Sequence, residues 1–172
     1  MACKNKLFYW LATITVLTFT GCITYGFTGT SVPEGVNDIF IPFFADQTSS
    51  GVSNLSDELN DVLINRFIIK SSLSMSNNRT GADAVLEGSI VQYSNEPFSI
   101  SGENKAEQNQ VTIVVQASYR YPEKDEEVYN KRFSGNATYD PTTDPIQGEE
   151  KAARTALEQI ANNMFKGAVS GW

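Results

Sequence analysis

Residues 111–121, VTIVVQASYRY, restrict the possible folds more than any other segment, because two kinds of side chain alternate along them. One set of alternate positions is apolar or aromatic: Val111, Ile113, Val115, Ala117, Tyr119 and Tyr121. The other set includes Thr112, Gln116, Ser118 and Arg120. A period of two places each set on its own face of a β-strand. The segment therefore predicts a strand of an antiparallel sheet with one face buried and the other in water.

Three more segments have the composition of strands: 84–93, 128–139 and the shorter 73–77. The residues at 94–110, SNEPFSISGENKAEQNQ, are mainly polar and predict a long connection between two strands of a hairpin. Together with 111–121, these segments predict a mostly antiparallel sheet of four to five strands.

The segment 38–44, DIFIPFF, is apolar at both sets of alternate positions. This pattern predicts a strand in a sheet that is covered on both faces. Pro42 lies inside the segment and lacks the backbone N–H that a central strand needs, so it indicates an edge or a break.

The apolar period changes to three or four residues from about residue 54 onwards. The apolar stripe contains Leu55, Leu59, Val62, Leu63 and Phe67 and leads to Lys70, while acids fill the opposite side. This pattern predicts an amphipathic helix that covers a sheet.

A second helix is predicted to begin at Pro145, with Asp144 as its capping residue and Gln147 at the spacing of a capping box. Its apolar stripe runs to an end near Gly167 and contains Ala153, Leu157, Ile160, Met164 and Phe165. The order of elements predicts an α+β fold: a two-layer sandwich with a mostly antiparallel sheet and two helices packed on one face.

The N-terminus has the features of an export signal. Lys4 and Lys6 precede the apolar run 7–19, which is shorter than the ~20 residues of a spanning helix. The following Thr-Gly-Cys resembles the bacterial lipobox, although Phe19 stands where Leu is usual. An ordinary signal peptide, or an anchor with an incidental Cys22, is the alternative.

The lipobox reading predicts cleavage between Gly21 and Cys22, so that 1–21 is a lipoprotein signal peptide. Cys22 would then carry a covalent diacylglycerol and an N-acyl chain. Residues 22–172 would form a single periplasm-facing domain, in which 22–36 serve as a tether. Acylation would also cap the one thiol that remains after Cys3 is removed.

Composition excludes several classes of function. The chain has no His and a net charge of −7, so it lacks His-based catalytic sites and is poorly suited to nucleic acid. The acidic stretch 123–127 mixes in Lys124 and lacks calcium-loop spacing, which favours a solvated turn. We therefore expect no metal, no cofactor other than the lipid, and no enzymatic activity.

The ordered segments resemble the LptE-type family of lipopolysaccharide-assembly lipoproteins, in the form typical of Bacteroidetes. The segments that carry the resemblance follow the lipobox: YGFTG at 25–29, VPEGVNDIFIPFFADQT at 32–48, LSDELNDVLINRF at 55–67, ADAVLEGSIVQYS at 83–94, NQVTIVVQASYRY at 109–121 and the aromatic end FKGAVSGW.

This resemblance implies an outer-membrane lipoprotein that plugs a large β-barrel and helps to assemble it. The barrel then inserts lipopolysaccharide into the outer leaflet. Family members are thought to contact the lipid phosphates through basic residues. The candidates here are Arg79, Lys105, Arg120, Lys131 and Arg132.

Two other functions compete with this one. The segments IFIPFFADQT and GADAVLEGSI also resemble secretion-associated outer-membrane lipoproteins that form homo-oligomeric rings or scaffolds. A carboxylate hydrolase would depend on Glu126 and Glu127 alone.

Overall fold

The protein has an α+β fold in which two helices cover one face of a six-stranded mixed sheet. The computed structural model describes residues 35–52, 54–98 and 108–169. The elements in chain order are β1 (Asp38–Phe40), β2 (Ala45–Asp46), α1 (Leu55–Ile64), β3 (Ser74–Met75), β4 (Ala84–Phe98), β5 (Gln108–Tyr121), β6 (Glu126–Tyr139) and α2 (Pro145–Val169).

The three long strands form the predicted antiparallel part of the sheet. The strand order is β3-β1-β4-β5-β6, and β2 pairs separately with β4. The β4–β5 and β5–β6 pairs are antiparallel, whereas the three short strands pair in parallel. The α+β prediction is therefore confirmed, with a sheet that is mixed and has six strands instead of four to five.

Strand β5 shows the predicted alternation. The six apolar and aromatic side chains at its alternate positions are all buried, from Val111 to Tyr121. The intervening side chains are half-buried and lie on the face opposite the helices. Burial of one face of a pleated strand sets its register, because a slip of one residue would expose all six side chains.

The segment 38–44 differs from its prediction in part. The strand stops before Pro42, so the predicted break is confirmed. The expectation of a sheet covered on both faces is wrong, since the side chain of Phe43 is 62% exposed while Ile39 and Phe44 are fully buried. The cause is the two-layer architecture, in which helices cover one face only.

The connection predicted at 94–110 is shorter than expected. Strand β4 continues to Phe98, and β5 already begins at Gln108. On the side away from β5, β2 reaches only Ser89 and Ile90. Beyond these residues no described strand pairs with this edge of β4, so Pro97 and polar side chains are compatible with a strand there.

Both helices confirm their predicted stripes. The buried residues of α1 are Leu55, Leu59, Val62 and Leu63, and a π-helical turn, Asn65–Ile69, continues α1 and buries Phe67. Helix α2 begins at Pro145, and the Asp144 carboxylate accepts a hydrogen bond from the Gln147 backbone N–H at 3.1 Å. It ends at Val169, slightly beyond the predicted end.

The core joins the helices to the sheet through aromatic contacts. The ring of Phe67 stacks with that of Tyr119 at 6.3 Å between centroids. The same ring meets Phe165 of α2 edge to face at 5.2 Å. One side chain of the π-helical turn therefore fixes its position against both β5 and α2.

Candidate interaction surfaces

The face of the sheet opposite the helices, here called the outer face, is open and polar. It is formed by β4, β5 and β6, whose register places the following side chains on it: Glu87, Ser89, Gln92, Ser94, Thr112, Gln116, Ser118, Arg120, Asn130, Arg132, Ser134 and Asn136. All of these side chains are at least partly exposed. No helix covers them in the described part of the chain.

Side-chain amides bind one another across the outer face. Gln116 Nε2 donates to Asn130 Oδ1 at 2.9 Å, and Asn130 Nδ2 donates to Glu127 at 3.4 Å. Gln110 and Asn136 form a longer pair at 3.5 Å. Because amides both donate and accept, this surface can exchange its internal hydrogen bonds for bonds to a polar partner.

Two of the predicted basic residues meet at one carboxylate on the outer face. Arg79 Nη2 lies 3.0 Å from Glu87 Oε2, and Arg120 Nη2 lies 3.7 Å from the same atom. Since these side chains remain partly exposed, each ion pair contributes little to stability. Arg79 and Arg120 thus form one cluster that carries a net positive charge.

The structure separates the other two described candidates. Arg132 lies opposite Gln116 and shares the outer face with Arg120. Lys131 points to the helix side, where its Nζ lies 5.2 Å from the ring centroid of Phe133 and 5.9 Å from that of Tyr129. The predicted cations therefore do not form one site. Lys105, Gly21 and Cys22 lie outside the described residues.

A second surface lies between α1 and α2, and sequence reasoning did not find it. This groove, here called the helical groove, has a volume of about 520 Å³. Its charged and amide lining consists of Asp61, Asn65, Arg66, Lys70, Arg154, Glu158 and Asn162. Arg66 and Lys70 lie at the end of the first predicted helix, and this was the available signal in the sequence. Nothing in the sequence near them indicated that α2 would lie beside them.

The tyrosines near the core are unsuited to proton transfer. Burial raises the pKa of Tyr119 and Tyr129 far above the usual value. Burial also raises the pKa of Tyr93. The Glu149 carboxylate, which accepts a hydrogen bond from the Tyr93 hydroxyl at 2.5 Å, raises this pKa further. These hydroxyls stay protonated at any physiological pH.

The acidic stretch 123–127 is exposed and includes the turn of the β5–β6 hairpin, as predicted, together with the first two residues of β6. Pro122–Lys124 make one 3₁₀ turn, and Asp125 adopts a left-handed conformation.

Across 35–52, 54–98 and 108–169, no group of three or more His, Cys, Asp or Glu residues could hold a metal ion. In the same ranges, no helix is both long and apolar enough to cross a membrane.

The fold and its surfaces define a small α+β domain that presents an open polar sheet. The family model described as LptE, lipopolysaccharide-assembly, matches residues 36–166. This match extends from two residues before β1 into the last turn of α2. The chain belongs to the LptE family, a non-enzymatic family of lipopolysaccharide-assembly lipoproteins.

Solved structures with TM-scores above 0.5 share the fold at low sequence identity. A protein from Xanthomonas campestris is 12% identical with a TM-score of 0.57, covering 83% of this chain and 91% of that one. A hypothetical protein from Chlamydia trachomatis is 9% identical with a TM-score of 0.51, covering 78% and 94%. A minor lipoprotein from Acinetobacter baumannii is 13% identical with a TM-score of 0.45, covering 80% and 94%. No curated protein matches the sequence significantly.

Proposed function

We propose that this protein is an outer-membrane lipoprotein that plugs a large β-barrel, and that the two together insert lipopolysaccharide into the outer leaflet. Cys22 would carry the lipid anchor and hold the domain at the inner side of the membrane. Membership of the LptE family over residues 36–166 supports lipopolysaccharide assembly as the process. The proposed role is one of assembly and scaffolding, without catalysis.

The open polar outer face is the observation that carries the proposal. The lumen of a wide membrane barrel is polar and hydrated, unlike its lipid-facing exterior. A plug must therefore offer hydrogen-bonding groups to the barrel wall. The hydrogen-bonded pair of Gln116 and Asn130 offers such groups, and so do Ser118, which lies opposite Asn130, and Ser134 further along β6.

The charge of the outer face suits an anionic lipid near the same wall. Arg79 and Arg120 share the single carboxylate of Glu87. Arg132 lies on the same face with its side chain exposed. Guanidinium groups bind phosphate oxygens in a bidentate manner, so this face would also contact lipopolysaccharide phosphates.

The test is to solubilise outer membranes in mild detergent, capture the full-length protein and identify the material that accompanies it. We expect a large β-barrel protein in stoichiometric amount. Recovery of a homo-oligomer without a barrel would instead favour the ring-forming alternative and contradict the proposal.

Variants locate the contact. Ser134→Trp places a bulky side chain on the outer face and should reduce barrel recovery several-fold. Glu150→Trp is the matched control, because Glu150 is exposed on α2, away from that face. Equal barrel recovery with both variants would contradict docking through the outer face.

A further inference from the structure

The helical groove contains a hydrogen-bond donor that is buried without an acceptor. The Nε atom of Arg66 is buried and has no hydrogen-bond partner among the residues described. The guanidinium carbon lies 3.9 Å from the ring centroid of Phe165, so the cation packs face-on against the aromatic ring. The in-plane N–H groups remain for an acceptor. An acceptor that reached this buried N–H would relieve an unfavourable burial.

The backbone places Arg66 there through an unusual local conformation. Arg66 belongs to the π-helical turn Asn65–Ile69, which directly follows α1. Phe67 holds this turn through its contacts with Tyr119 and Phe165. Single π-helical turns within helices are common at functional sites, because they redirect side chains out of the regular helical stripe.

The charges around Arg66 favour an anion. Arg154, which also lines the groove, is already paired with two acids, Glu58 at 2.8 Å and Glu158 at 3.6 Å. Arg66 and Lys70 have no ion pair in the described part of the chain. Asp61 is the remaining lining acid, so Arg66 and Lys70 exceed it by one charge at their end of the groove, whereas Glu58 and Glu158 exceed Arg154 by one charge around that residue.

The size and rim of the groove indicate more than a bare ion. Its volume of about 520 Å³ lies within the usual range for sites that bind small organic molecules, roughly 300–1,000 Å³. Part of the lining is apolar and includes Val62, Ile69 and Ala161. The side chain of Ile69 is 70% exposed. A ligand with an anionic head and an attached uncharged portion would satisfy both parts.

We propose that the helical groove binds a phosphate-bearing ligand, with Arg66 and Lys70 contacting the phosphate. Phosphate is favoured over carboxylate because it offers more charge and an additional oxygen to two separate cations. The attached portion would lie against Ile69. This site is separate from the outer face and does not depend on a barrel partner.

The experiment is a calorimetric titration of the full-length chain in non-ionic detergent at low ionic strength. The probes are inorganic pyrophosphate, short-chain phosphatidic acid below its micelle concentration, and succinate as a dicarboxylate. We expect at least one phosphate probe to bind more tightly than succinate. Binding of the lipid alone identifies a lipid headgroup, and similar binding of pyrophosphate identifies a free phosphate; both support the site.

Variants make the titration specific. Lys70→Gln should weaken phosphate binding by about tenfold, the effect of losing one charged contact. Asp61→Asn should strengthen it a few-fold by removing a competing acid. Lys166→Gln is the matched control, because Lys166 is exposed on α2 and does not line the groove. All three positions are at the surface, so these variants avoid the packing loss expected for Arg66→Gln.

Three outcomes would overturn the proposal. One is the absence of binding by both phosphate probes, and another is equally tight binding of succinate. The third is a Lys166→Gln variant that weakens binding as much as Lys70→Gln does.

Discussion

Gly135 of β6 lies directly against the backbone carbonyl of Ala156 in α2. A Cβ atom on Gly135 would be 2.1 Å from the Ala156 oxygen, a distance at which backbone must move. Gly135→Ala should therefore separate the helix from the sheet and lower the free energy of unfolding by about 1–3 kcal/mol or more. Urea denaturation measures this. Ser134→Ala, on the exposed side of the same strand, should change it by less than about 0.5 kcal/mol.

Asp38 and Asp83 join the start of β1 to the residue before β4. The Asp83 carboxylate accepts hydrogen bonds from the backbone N–H groups of Asn37 at 2.7 Å and Asp38 at 3.2 Å. In return, Asp38 Oδ1 accepts from the Asp83 N–H at 2.9 Å. Asp83→Ala should cost about 1–2 kcal/mol in the same denaturation assay, because it leaves two donors unpaired.

The control for Asp83→Ala is Glu123→Ala, which removes an exposed carboxylate from the β5–β6 turn. A loss of stability as large as that of Asp83→Ala would show that general charge, and not the hydrogen bonds, causes the effect.

Asp140 should titrate at unusually low pH. Hydrogen bonds from the hydroxyls of Thr142 at 2.6 Å and Thr143 at 2.7 Å lower the pKa of Asp140 from 3.8 to about 2. Because the folded pKa is depressed, the stabilisation is fully present above pH 3.8 and is lost as pH falls towards 2. An NMR titration of the carboxyl carbon measures the midpoint. Thr142→Val should raise it towards 3.8, whereas an unchanged midpoint would refute this cause.

Gln159 of α2 protects part of the exposed edge of β6. Its side-chain amide accepts from the Asn136 N–H at 3.2 Å and donates to the Asn136 carbonyl at 2.9 Å, as a neighbouring strand would. Gln159→Ala should free this edge, cost about 1 kcal/mol and increase self-association. Light scattering measures the association. Asn163→Ala, at an exposed position on the same helix, should remain like the parent protein.

Cys22 is predicted to carry the lipid anchor. Cys22→Ala should abolish labelling by a palmitate analogue and leave an uncleaved or soluble protein, because the modified thiol is lost. Cys3→Ala is the control and should label normally, since Cys3 lies in the segment that would be removed. Normal membrane partitioning of Cys22→Ala would refute the lipobox assignment.

Much of the fold could be predicted from local patterns. The alternation from Val111 to Tyr121 predicted the central strand, and the stripes of both helices contained the residues that are now buried. The cap at Asp144 was also predicted correctly. These features depend on residues that are close in sequence, so the period alone reveals them.

The parts that were missed depend on partners distant in sequence. The end of β4 at Phe98 lies within polar sequence, and only its pairing with Gln108 extends the strand that far. The basic residues were judged one by one, but β6 sends Lys131 and Arg132 to opposite faces. Arg66 was overlooked because its burial depends on Phe165, almost a hundred residues later.

The sequence by itself therefore determined the class of fold, the starts of both helices and the family, since periodicity, capping and ordered motifs are local properties. The tertiary structure alone decided which polar groups become neighbours. Packing of α2 beside α1 created the helical groove. Because both described helices pack on the same face of the sheet, the described residues leave the outer face open. Such surfaces arise from contacts between elements, whose geometry follows from the packing of the whole core.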